Sequence, residues 1–585
     1  MVVNVNKEQE VIEQQGAVQF DDKIYPFVFP EIKDWPIYRL HEDRKNFVQE
    51  LERYIFERLT SQRGVQIYDL IAQTIYLEKI RMKDDPWKVD PPNERAYWKR
   101  LEKRLAKNAI NGEEEAVKAE QQEILQKIIH RYSEEVVGTF NIQAFLFARK
   151  FLTLTLNRLL NTAGNRNFRR LYSARLRLHE RFKLSGPLEQ IRNLAKKGTI
   201  VIVPTHSSNL DSVVIAWAMD QMMGLPCFSF GAGLNLYNSG VIAYFLNRIG
   251  TYRVDRRKKN PIYLDTLKGM SKLAIQRGTN SLFYPLGTRS RSGELENYFK
   301  KGLLGTVVEA QRSLCQKNAK NKVFIIPLVL SYHTVLEAPF LIEQHLKKTG
   351  KERYHKTNRD QSYSVRKISN FLWNFFSRES DIVLSFGKPL DVLGNFVDDN
   401  GTSYDRRQNE VKIEDYFKSN QKITKDLQRE REYTKVLATR IIDRYHKENI
   451  VLSSHLIAFA AFNLLLNKNP KLDLYSTLRQ PEEEYVFAIE ELINLVEIIR
   501  TNLFEKNNEG KIKLSEQIFW DVDRLIEDGV KNLGSYHTRK PLYYTKKTKE
   551  IKSENFQVLF YYHNRLRTYG LDQEIAEVHN LDQYF

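Results

Sequence analysis

The chain has 585 residues, 42% of them hydrophobic, which is long enough for two or three separately packed domains. Lysine and arginine exceed aspartate and glutamate by 91 to 73, and the formal charge of +18 favours anionic partners such as phospholipid surfaces, nucleic acid or phosphorylated substrates. Nucleic acid is the weaker choice, because no helix-turn-helix, zinc-finger or RNA-recognition signature is present.

Cysteine content and hydropathy narrow the class of protein further. Cys227 and Cys315 form no metal or disulfide framework and are typical of a reducing compartment. The amino terminus has no apolar signal-peptide core, and no stretch reaches the ~18 uninterrupted apolar residues of a usual membrane-spanning helix. Any membrane attachment is therefore expected to be peripheral or shallowly inserted.

The first part of the chain is predicted to be mostly helical. Residues 1–30 are polar without a sustained period and are expected to be disordered, whereas residues 31–170 show the spacing of amphipathic helices and form a predicted helical domain. Near the end of this region, Phe145–Asn157 is amphipathic and cationic. This pattern is typical either of a core helix or of a helix in a membrane interface, and both interpretations stay open.

Residues 171–390 are predicted to form an α/β domain around a largely parallel sheet. Its clearest strand is the β-branched run Thr199–Val203, which a proline closes. His206 follows at the carboxyl end of this strand, where open α/β sheets usually place their chemistry. Asp211 comes shortly afterwards, close to the amino end of a predicted helix.

The pair of His206 and Asp211 suits general-base chemistry. The short loop between them lets the carboxylate reach one imidazole nitrogen and leaves the other nitrogen to accept a proton from a hydroxyl group or water. No serine or cysteine nucleophile motif accompanies the pair, so the activated hydroxyl is expected to belong to a substrate. A loop histidine beside an N-capping aspartate is the alternative interpretation.

Arg256 and Arg289 each follow a strand-like run and are predicted at the same edge of the sheet as His206. An arginine fork pairs bidentately with a phosphate dianion, so the two arginines together predict a phosphate-binding site. Either arginine alone would be interpreted as a solvated surface charge. The neighbouring Arg257–Lys259 are expected to be solvated or to face lipid.

The segment around Arg289 supplies further candidate phosphate ligands. Gly287 permits close backbone approach or an unusual backbone angle. Thr288 and Ser290 offer hydroxyl donors to a phosphate. Lys301, in a basic segment shortly downstream, is another candidate, with an ordinary helix-start lysine as the equal alternative.

In their order and spacing, four segments resemble the glycerolipid acyltransferase superfamily, which includes glycerol-3-phosphate and lysophosphatidate acyltransferases. The family pattern is H-x4-D, then G-x-x-F-I-x-R, then F-x-E-G-T-R-S, then a short apolar strand containing proline. Here the blocks are His206–Asp211, Gly250–Arg256, Tyr284–Ser290 and Phe324–Leu328. The resemblance covers roughly residues 170 to 390.

Some positions depart from the family pattern. Arg253 stands where the second block usually has phenylalanine, and Tyr284 replaces the phenylalanine that opens the third block. Leu286 is the larger departure, because that block usually has there a glutamate associated with binding the acceptor. Its absence puts the acceptor's identity, or the usual hydroxyl contact to it, in question and leaves the base and the phosphate ligands in place.

The resemblance implies an acyltransferase that moves a fatty acyl group from an acyl thioester, acyl-CoA or acyl-carrier protein, to the 1-hydroxyl of glycerol 3-phosphate. This reaction is the first step of phospholipid synthesis. His206, oriented by Asp211, would take the hydroxyl proton, while Arg256, Arg289 and Ser290 hold the acceptor phosphate. Backbone amides near the start of the following helix are candidate oxyanion donors. No metal or bound cofactor is expected.

Two features favour the large glycerol-3-phosphate acyltransferases within this superfamily. The segment Ser331–Glu337 resembles the one that follows the proline strand in those enzymes and in their dihydroxyacetone-phosphate relatives. Long flanks on both sides of the α/β domain point the same way. A second catalytic role for His333 is the less favoured interpretation of that segment. Leu456–Ala461 resembles an apolar helix of the large enzymes and is also typical of an ordinary buried helix.

The carboxyl-terminal part is predicted to consist of a polar, turn-rich linker at residues 391–421 and a helical domain at residues 422–585. Its basic aromatic stretch Arg539–Lys549 is a candidate lipid contact, with a solvated loop as the equal alternative. We expect the protein to be membrane-associated, peripheral or monotopic, on the cytoplasmic face, with an anionic membrane surface and no nucleic acid among its partners.

Other functions fit the same residues less well. The alternative acceptors are 1-acylglycerol 3-phosphate and dihydroxyacetone phosphate. A thioesterase, in which the His206–Asp211 pair activates water, is less favoured because it needs no phosphate-binding arginines. A non-catalytic lipid-binding protein, with Leu286 as the mark of a decayed site, is less favoured because the candidate base and arginines are intact.

Overall fold

The computed structural model describes residues 16–61, 66–87, 89–111, 114–162, 179, 181–234, 237, 240–350, 381–481, 485–545, 548 and 550–573. Within these residues, one sheet of seven strands organises the α/β region, in the order β1-β7-β6-β2-β5-β3-β4. In chain order its strands are Phe182–Ser185 (β1), Gly198–Pro204 (β2), Ser229–Gly233 (β3), Tyr252–Val254 (β4), Ser281–Leu282 (β5), Lys322–Tyr332 (β6) and Ile382–Phe386 (β7).

The sheet is parallel except where β6 meets β7, which run antiparallel to each other. β2 lies between β5 and β6, with Val201 opposite both Ser281 and Ile325. Its residues from Thr199 onwards are buried, because helices cover both faces of a parallel sheet and select continuous apolar strands. The predicted α/β class with a largely parallel sheet and helical flanks is confirmed.

Helices precede, cover and follow the sheet. Before it lie Pro36–Glu42 (α1), Arg44–Thr60 (α2), Ile67–Asp84 (α3), Glu94–Asn111 (α4), Glu114–Val136 (α5) and Ile142–Thr162 (α6). Between its strands lie Leu188–Ala195 (α7), Asp211–Gln221 (α8), Gly240–Leu246 (α9), Pro261–Gln276 (α10), Lys301–Gln316 (α11) and Ala338–Thr349 (α12). After it lie Leu427–Glu448 (α13), Ser453–Lys468 (α14), Leu474–Thr477 (α15), Ile489–Asn508 (α16), Val522–Asn532 (α17) and Phe556–His563 (α18).

Short elements complete the described chain. The short strands are Phe396–Val397 (β8), Ser403–Tyr404 (β9), Glu410–Val411 (β10), Lys418–Ser419 (β11), Lys422–Ile423 (β12), Ile450–Val451 (β13), Val486–Phe487 (β14), Lys513–Leu514 (β15), Tyr543–Tyr544 (β16) and Ile551–Lys552 (β17). The 3-10 helices are Ile32–Asp34, Ile413–Phe417, Glu516–Phe519 and Arg567–Tyr569. No helix among the residues described is both long and apolar enough to span a bilayer.

Residues 16–30, where the sequence predicts disorder, lie along the folded body. The backbone amides of Val18, Asp21 and Tyr25 donate hydrogen bonds to carbonyl groups of Leu514, Leu184 and Met222 at 2.8 to 2.9 Å. These partners explain the difference, because a polar segment gains order from backbone groups that a distant part of the chain leaves open. The rest of the predicted disordered segment, residues 1–15, falls outside the described residues.

Residues 391–421, where the sequence predicts a linker, form the short strands β8 to β11 and a 3-10 helix. Leu393, Ile413 and Phe417 are buried in one cluster with Leu437 of α13. The apolar residues are too widely spaced to give a periodic signal, yet each reaches the same core. This stretch therefore packs on the α/β domain.

The helices after α13 share a continuous core with the sheet. The residues of α14 from Ser453 to Leu465 are buried, and α14 packs against α16, α17 and α18. Leu456–Ala461 lies in this helix and is buried, as the interpretation of an ordinary buried helix expects. The candidate lipid contact Arg539–Lys549 contains the buried Leu542 and strand β16, and its residues 546, 547 and 549 lie outside the described chain.

Candidate active site

The structure brings His206 and Asp211 into contact. His206 lies just beyond the carboxyl end of β2, and Asp211 is the first residue of α8. Their side chains approach to 2.8 Å, from Nδ1 of the imidazole to Oδ2 of the carboxylate. An ionised carboxylate only accepts hydrogen bonds, so Nδ1 carries the proton and Nε2 is left as an acceptor. The neutral imidazole is therefore set up as a base through Nε2.

Both oxygens of the Asp211 carboxylate have additional donors. The backbone amides of Ser207 and Ser208 donate to Oδ2 at 2.7 and 2.9 Å. The Tyr332 hydroxyl, at the end of β6, donates to Oδ1 at 2.7 Å. Because Asp211 is fully buried, its carboxylate has no contact with bulk water, and these donors replace the hydrogen bonds that water would provide.

Contacts of the same kind occupy the loop amides that precede α8. Ser207 and Ser208 give their N–H groups to Asp211, and Asn209 gives its N–H group to Oε1 of Glu337 at 3.1 Å. The amide of Leu210 donates to the Ser208 hydroxyl. The loop amides from Ser207 to Leu210 are thus engaged within the protein, and the amides within the first turn of α8 remain a prediction for the oxyanion donors.

Burial sets the protonation state of His206. It lowers the pKa of the imidazole below its ordinary value of 6.5, and the hydrogen bond and charge of Asp211 oppose this shift. The positive charges of Arg289 and Arg256 lower the pKa further, since they disfavour a cationic imidazolium. The net result is a neutral imidazole near pH 7, as a general base requires.

His206 is also held through its ring and its backbone. The ring of Tyr284 stacks on the imidazole at 3.8 Å between centroids, and the Tyr284 hydroxyl lies 3.0 Å from the Ser212 hydroxyl. The backbone amide of His206 donates to Oε1 of Glu296 at 2.8 Å, and its carbonyl accepts from the Ser290 amide at 2.7 Å. Burial raises the pKa of Glu296 to about 7.

Arg289 lies beside this loop and forms an ion pair with Glu337. Nη1 of Arg289 is 3.2 Å from Oε1 of Glu337, and both side chains are largely buried. The Ser208 hydroxyl donates to the other Glu337 oxygen at 2.9 Å. Glu337 therefore links the candidate phosphate arginine to the loop between His206 and Asp211. Leu286, where the family pattern has its glutamate, is half-buried in the same third block.

The other candidate phosphate ligands occupy the same edge of the sheet. Arg256 follows β4 and is exposed, while Thr288 is half-buried. The Ser290 hydroxyl donates to the Glu294 carbonyl at 2.8 Å, so its proton is already engaged. Gly287 has φ of +67° and open space where a Cβ would stand. Lys301 is exposed at the first residue of α11, a helix that runs back from this edge to the start of β6.

One expectation about neighbouring residues needs correction. Arg257 and Lys258 are neither solvated nor lipid-facing, because Arg257 pairs with Asp90 and Lys258 pairs with Glu135 in buried contacts. These acidic partners lie far away in the sequence, so local charge patterning does not reveal them. The catalytic role of His333, the less favoured interpretation, gains no support, because its ring is buried and its Nδ1 lies 2.9 Å from the Ser454 hydroxyl on α14.

The carboxyl-terminal region contacts backbone groups next to the site. Nη2 of Arg565, which is buried, donates to the Leu330 carbonyl at 2.8 Å, two residues before Tyr332. The Asn564 amide group donates to the Ser292 carbonyl at 2.9 Å. Sequence reasoning missed this contribution, as it missed Tyr332, Glu296 and Glu337. Only the resemblance of Ser331–Glu337 to a family segment signalled two of these residues in advance.

The described residues contain no group of three or more histidine, cysteine, aspartate or glutamate side chains placed to hold a metal ion. Cys227 and Cys315 are both free thiols. What the site offers is a buried base, a carboxylate that orients it, and arginines at the edge of the same loop.

Comparison with known proteins gives the following matches. Residues 187–331 match the family model described as Acyltransferase. The chain is 25% identical over 326 residues to a glycerol-3-phosphate acyltransferase of Aeromonas hydrophila, covering 54% of this chain and 34% of the relative. It is 29% identical over 224 residues to the protein of that name in Pseudoalteromonas atlantica, covering 38% of this chain and 25% of the relative. A Pseudomonas aeruginosa protein of the same name is 24% identical over 295 residues, covering 50% and 31%. The chain thus spans about a third or less of the length of these relatives.

Proposed function

The chain belongs to the glycerolipid acyltransferase superfamily through the domain at residues 187–331, and on this premise we propose that it transfers a fatty acyl group to the 1-hydroxyl of glycerol 3-phosphate. The donor is an acyl thioester, either acyl-CoA or acyl-carrier protein. The observation that carries the proposal is the 2.8 Å contact of His206 with Asp211 beside Arg289. A base without a nucleophile of its own, next to a phosphate-binding arginine, suits a phosphorylated alcohol as the second substrate.

The proposed chemistry is a single acyl transfer. The acceptor oxygen attacks the thioester carbonyl while Nε2 of His206 takes the hydroxyl proton. The new C–O bond forms, the C–S bond of the tetrahedral intermediate breaks, and the imidazolium returns its proton to the departing thiolate. Asp211 stabilises the imidazolium between these steps through the bond to Nδ1.

Arg256, Arg289 and Lys301 are proposed to bind the acceptor phosphate, with open space at Gly287 beside them. Ser290 joins them only if its hydroxyl leaves the Glu294 carbonyl. Fixing the phosphate places the hydroxyl next to Nε2, and such alignment is worth several kcal/mol of the barrier. The Glu337 carboxylate, paired with Arg289, keeps that guanidinium in place before the acceptor arrives.

We propose an anionic bilayer as the surface on which the enzyme meets its lipid substrate. Support comes from α6, whose Phe145 is buried against Trp35, while Phe147 and Phe151 are 57% and 58% exposed on the opposite side. Phe147 stacks on Phe151 at 6.1 Å and on Phe245 of α9 at 5.4 Å. Large exposed apolar groups side by side are typical of an interaction site.

Charge favours a lipid surface for this aromatic patch. The exposed Lys150 lies on the same helix, and the Arg248 guanidinium lies 3.9 Å from the exposed Tyr244 ring. Aromatic rings with cations at their border suit the interfacial region of anionic membranes.

Replacing both Phe147 and Phe151 by serine should lower binding to phosphatidylglycerol vesicles in sedimentation assays. Tyr76→Ser, which changes a 64% exposed ring on α3, is the matched control and should bind as wild type. Equal binding by all three proteins would contradict this surface.

The reaction itself is tested by offering acceptors separately. The purified protein in anionic liposomes receives palmitoyl-CoA and either glycerol 3-phosphate, dihydroxyacetone phosphate or 1-acylglycerol 3-phosphate. Formation of 1-acylglycerol 3-phosphate from glycerol 3-phosphate alone supports the proposal. Acylation of another acceptor would indicate that the leucine at position 286, in place of the family glutamate, accompanies a different substrate. Thiol release without acylated product would indicate a hydrolase, and no transfer from either CoA or acyl-carrier-protein donors would contradict an acyltransferase.

A further inference from the structure

The loop that carries Arg256 is fixed on both sides of this residue. It joins β4 to α10 and runs from Asp255 to Asn260. Arg256 is exposed at the edge of the candidate site, whereas Asp255, Lys258 and Asn260 are buried. Buried charges require partners, so the charged neighbours of this exposed arginine must each contact another group. The partners come from the helices before the sheet.

Arg257 provides the first anchor. Its Nη1 lies 3.1 Å from Oδ2 of Asp90 and 2.8 Å from the Asp85 carbonyl. Its Nε lies 2.9 Å from the Asp255 carboxylate, and its guanidinium covers the Trp87 ring at 4.5 Å. All five donors of a guanidinium point in a fixed fork, so contacts on several sides leave it one orientation.

Asp90 is itself held in place. Its Oδ2 accepts from the Trp87 amide at 2.8 Å, and its Oδ1 accepts from Nη1 of Arg81 on α3 at 3.1 Å. Burial is the largest single influence and favours the neutral carboxyl, but the hydrogen bonds from Arg257 and the Trp87 amide, together with the charges of Arg81 and Arg257, outweigh it and keep the pKa of Asp90 below its ordinary value. The carboxylate is therefore a charged, rigid partner for Arg257.

Lys258 and Asn260 provide the second anchor. Nζ of Lys258 lies 2.8 Å from Oε1 of Glu135 on α5. The Asn260 amide group donates to Glu78 of α3 and to the Tyr132 hydroxyl of α5, both at 2.9 Å, while its oxygen caps α10. The loop is thus tied to α3, to the α3–α4 connection and to α5.

We propose that Asp90, acting through Arg257, is a positioning residue for Arg256, so that the helices before the sheet set the affinity for the acceptor phosphate. With its neighbours fixed, the backbone of Arg256 is ordered before the acceptor binds, and less conformational entropy is lost on binding. The inference rests on the proposed function in one respect only, the binding of an acceptor phosphate by Arg256.

Asp90→Asn tests the proposal, because it keeps the size of the side chain and removes the charge that holds Arg257. The KM for glycerol 3-phosphate should rise about tenfold while kcat and the KM for the acyl donor change less than about twofold. Glu102→Gln is the matched control, since its carboxylate pairs with Lys79 between the same helices at the surface. The control should keep wild-type values, and an unchanged KM in Asp90→Asn would overturn the proposal.

A double-mutant cycle separates positioning from general damage to the fold. In an Arg256→Ala background, Asp90→Asn should produce no further rise in KM, because residues acting through one another give non-additive effects. The same fold-increase in both backgrounds would overturn the proposal. If Asp90→Asn does not fold, Glu135→Gln takes its place in the cycle, since it releases Lys258 in the same loop.

Direct binding keeps this inference separate from the reaction. Calorimetric titration with glycerol 3-phosphate measures affinity without turnover. A wild-type protein that binds glycerol 3-phosphate but transfers no acyl group would contradict the proposed reaction, and a loss of affinity in Asp90→Asn would still support the positioning role. Equal affinity in wild type and Asp90→Asn, or no binding by wild type, would overturn it.

Discussion

The Tyr332 hydroxyl donates a 2.7 Å hydrogen bond to the Asp211 oxygen that does not face His206. The two residues are separated by 121 positions in the chain, and both are buried. β6 runs parallel to β2, which carries the loop of His206, so Tyr332 at the carboxyl end of β6 meets Asp211 just beyond the carboxyl end of β2. The orientation of the His206 imidazole therefore depends on both β2 and β6, because residues at the carboxyl ends of both strands fix the Asp211 carboxylate.

Removing this hydroxyl should weaken the base. Tyr332→Phe leaves Oδ1 of Asp211 without its donor, and a hydrogen bond to a charged group contributes about 1.5–3 kcal/mol. We expect kcat to fall about tenfold, with the KM for the acceptor nearly unchanged. Tyr445→Phe is the matched control, because its buried hydroxyl donates to the Val203 carbonyl of β2 and not to Asp211. An equal loss of kcat in both variants would assign the effect to packing.

The activity should depend on pH through the imidazole of His206. A base must be neutral, so kcat/KM should fall as pH decreases through a pKa that lies below the ordinary value of 6.5. Burial is the main cause of the lowered pKa, and the nearby arginines add to it. In Arg256→Gln one of these positive charges is gone, the imidazolium is less disfavoured, and the acidic limb should move to higher pH. Arg407→Gln, on the exposed turn before β10, should leave the limb in place. A limb that moves to lower pH in Arg256→Gln would contradict this electrostatic account.

Glu337 should stabilise the protein most when the phosphate site is empty. Glu337→Gln leaves Arg289 buried without its carboxylate, and breaking a buried pair typically lowers the free energy of unfolding by about 3 kcal/mol. A bound phosphate gives the guanidinium a new partner, so glycerol 3-phosphate should raise the melting temperature more in the variant than in wild type. Thermal unfolding with and without this ligand measures both effects. A smaller ligand shift in the variant would argue against Arg289 as a phosphate ligand.

The contact of α18 with the loop after Ser290 should matter for activity. Gly293 has φ of +88°, and a Cβ there would stand 2.1 Å from the Tyr561 carbonyl oxygen. Gly293→Ala should therefore displace this loop, lowering both kcat and the melting temperature. Gly510→Ala is the control, because φ there is +67° and nothing lies within 4 Å of the added carbon. The left-handed conformation alone costs about 1–2 kcal/mol in both variants. Loss of activity confined to Gly293→Ala supports a supporting role for the carboxyl-terminal region, and equal activities would contradict it.

Local signals in the sequence were sufficient for the centre of the fold. The β-branched run Thr199–Val203 predicts β2, and the short spacing from His206 to Asp211 predicts their contact, since both follow from neighbours along the chain. The parallel arrangement follows from alternating strands and helices. The roles of the arginines as phosphate ligands remain predictions, and the role of Ser290 does too, although its hydroxyl donates to the Glu294 carbonyl.

Long-range contacts account for what the sequence did not reveal. Glu296 meets the His206 amide across 90 residues, and Asn564 meets the Ser292 carbonyl across 272. No periodicity links such pairs, because their proximity follows from the packing of whole elements. The same reason explains the stretch 391–421, whose few apolar residues find a core supplied by α13.

The most direct test of the account compares acyl transfer to glycerol 3-phosphate by wild type and His206→Ala, at pH 7 and with matched thermal unfolding curves. If His206 is the general base, the folded variant should lose about 10²- to 10⁴-fold in kcat, the usual contribution of such a group. It should still bind glycerol 3-phosphate, because the phosphate ligands are untouched. A folded His206→Ala protein that transfers acyl groups at the wild-type rate would rule out His206 as the general base.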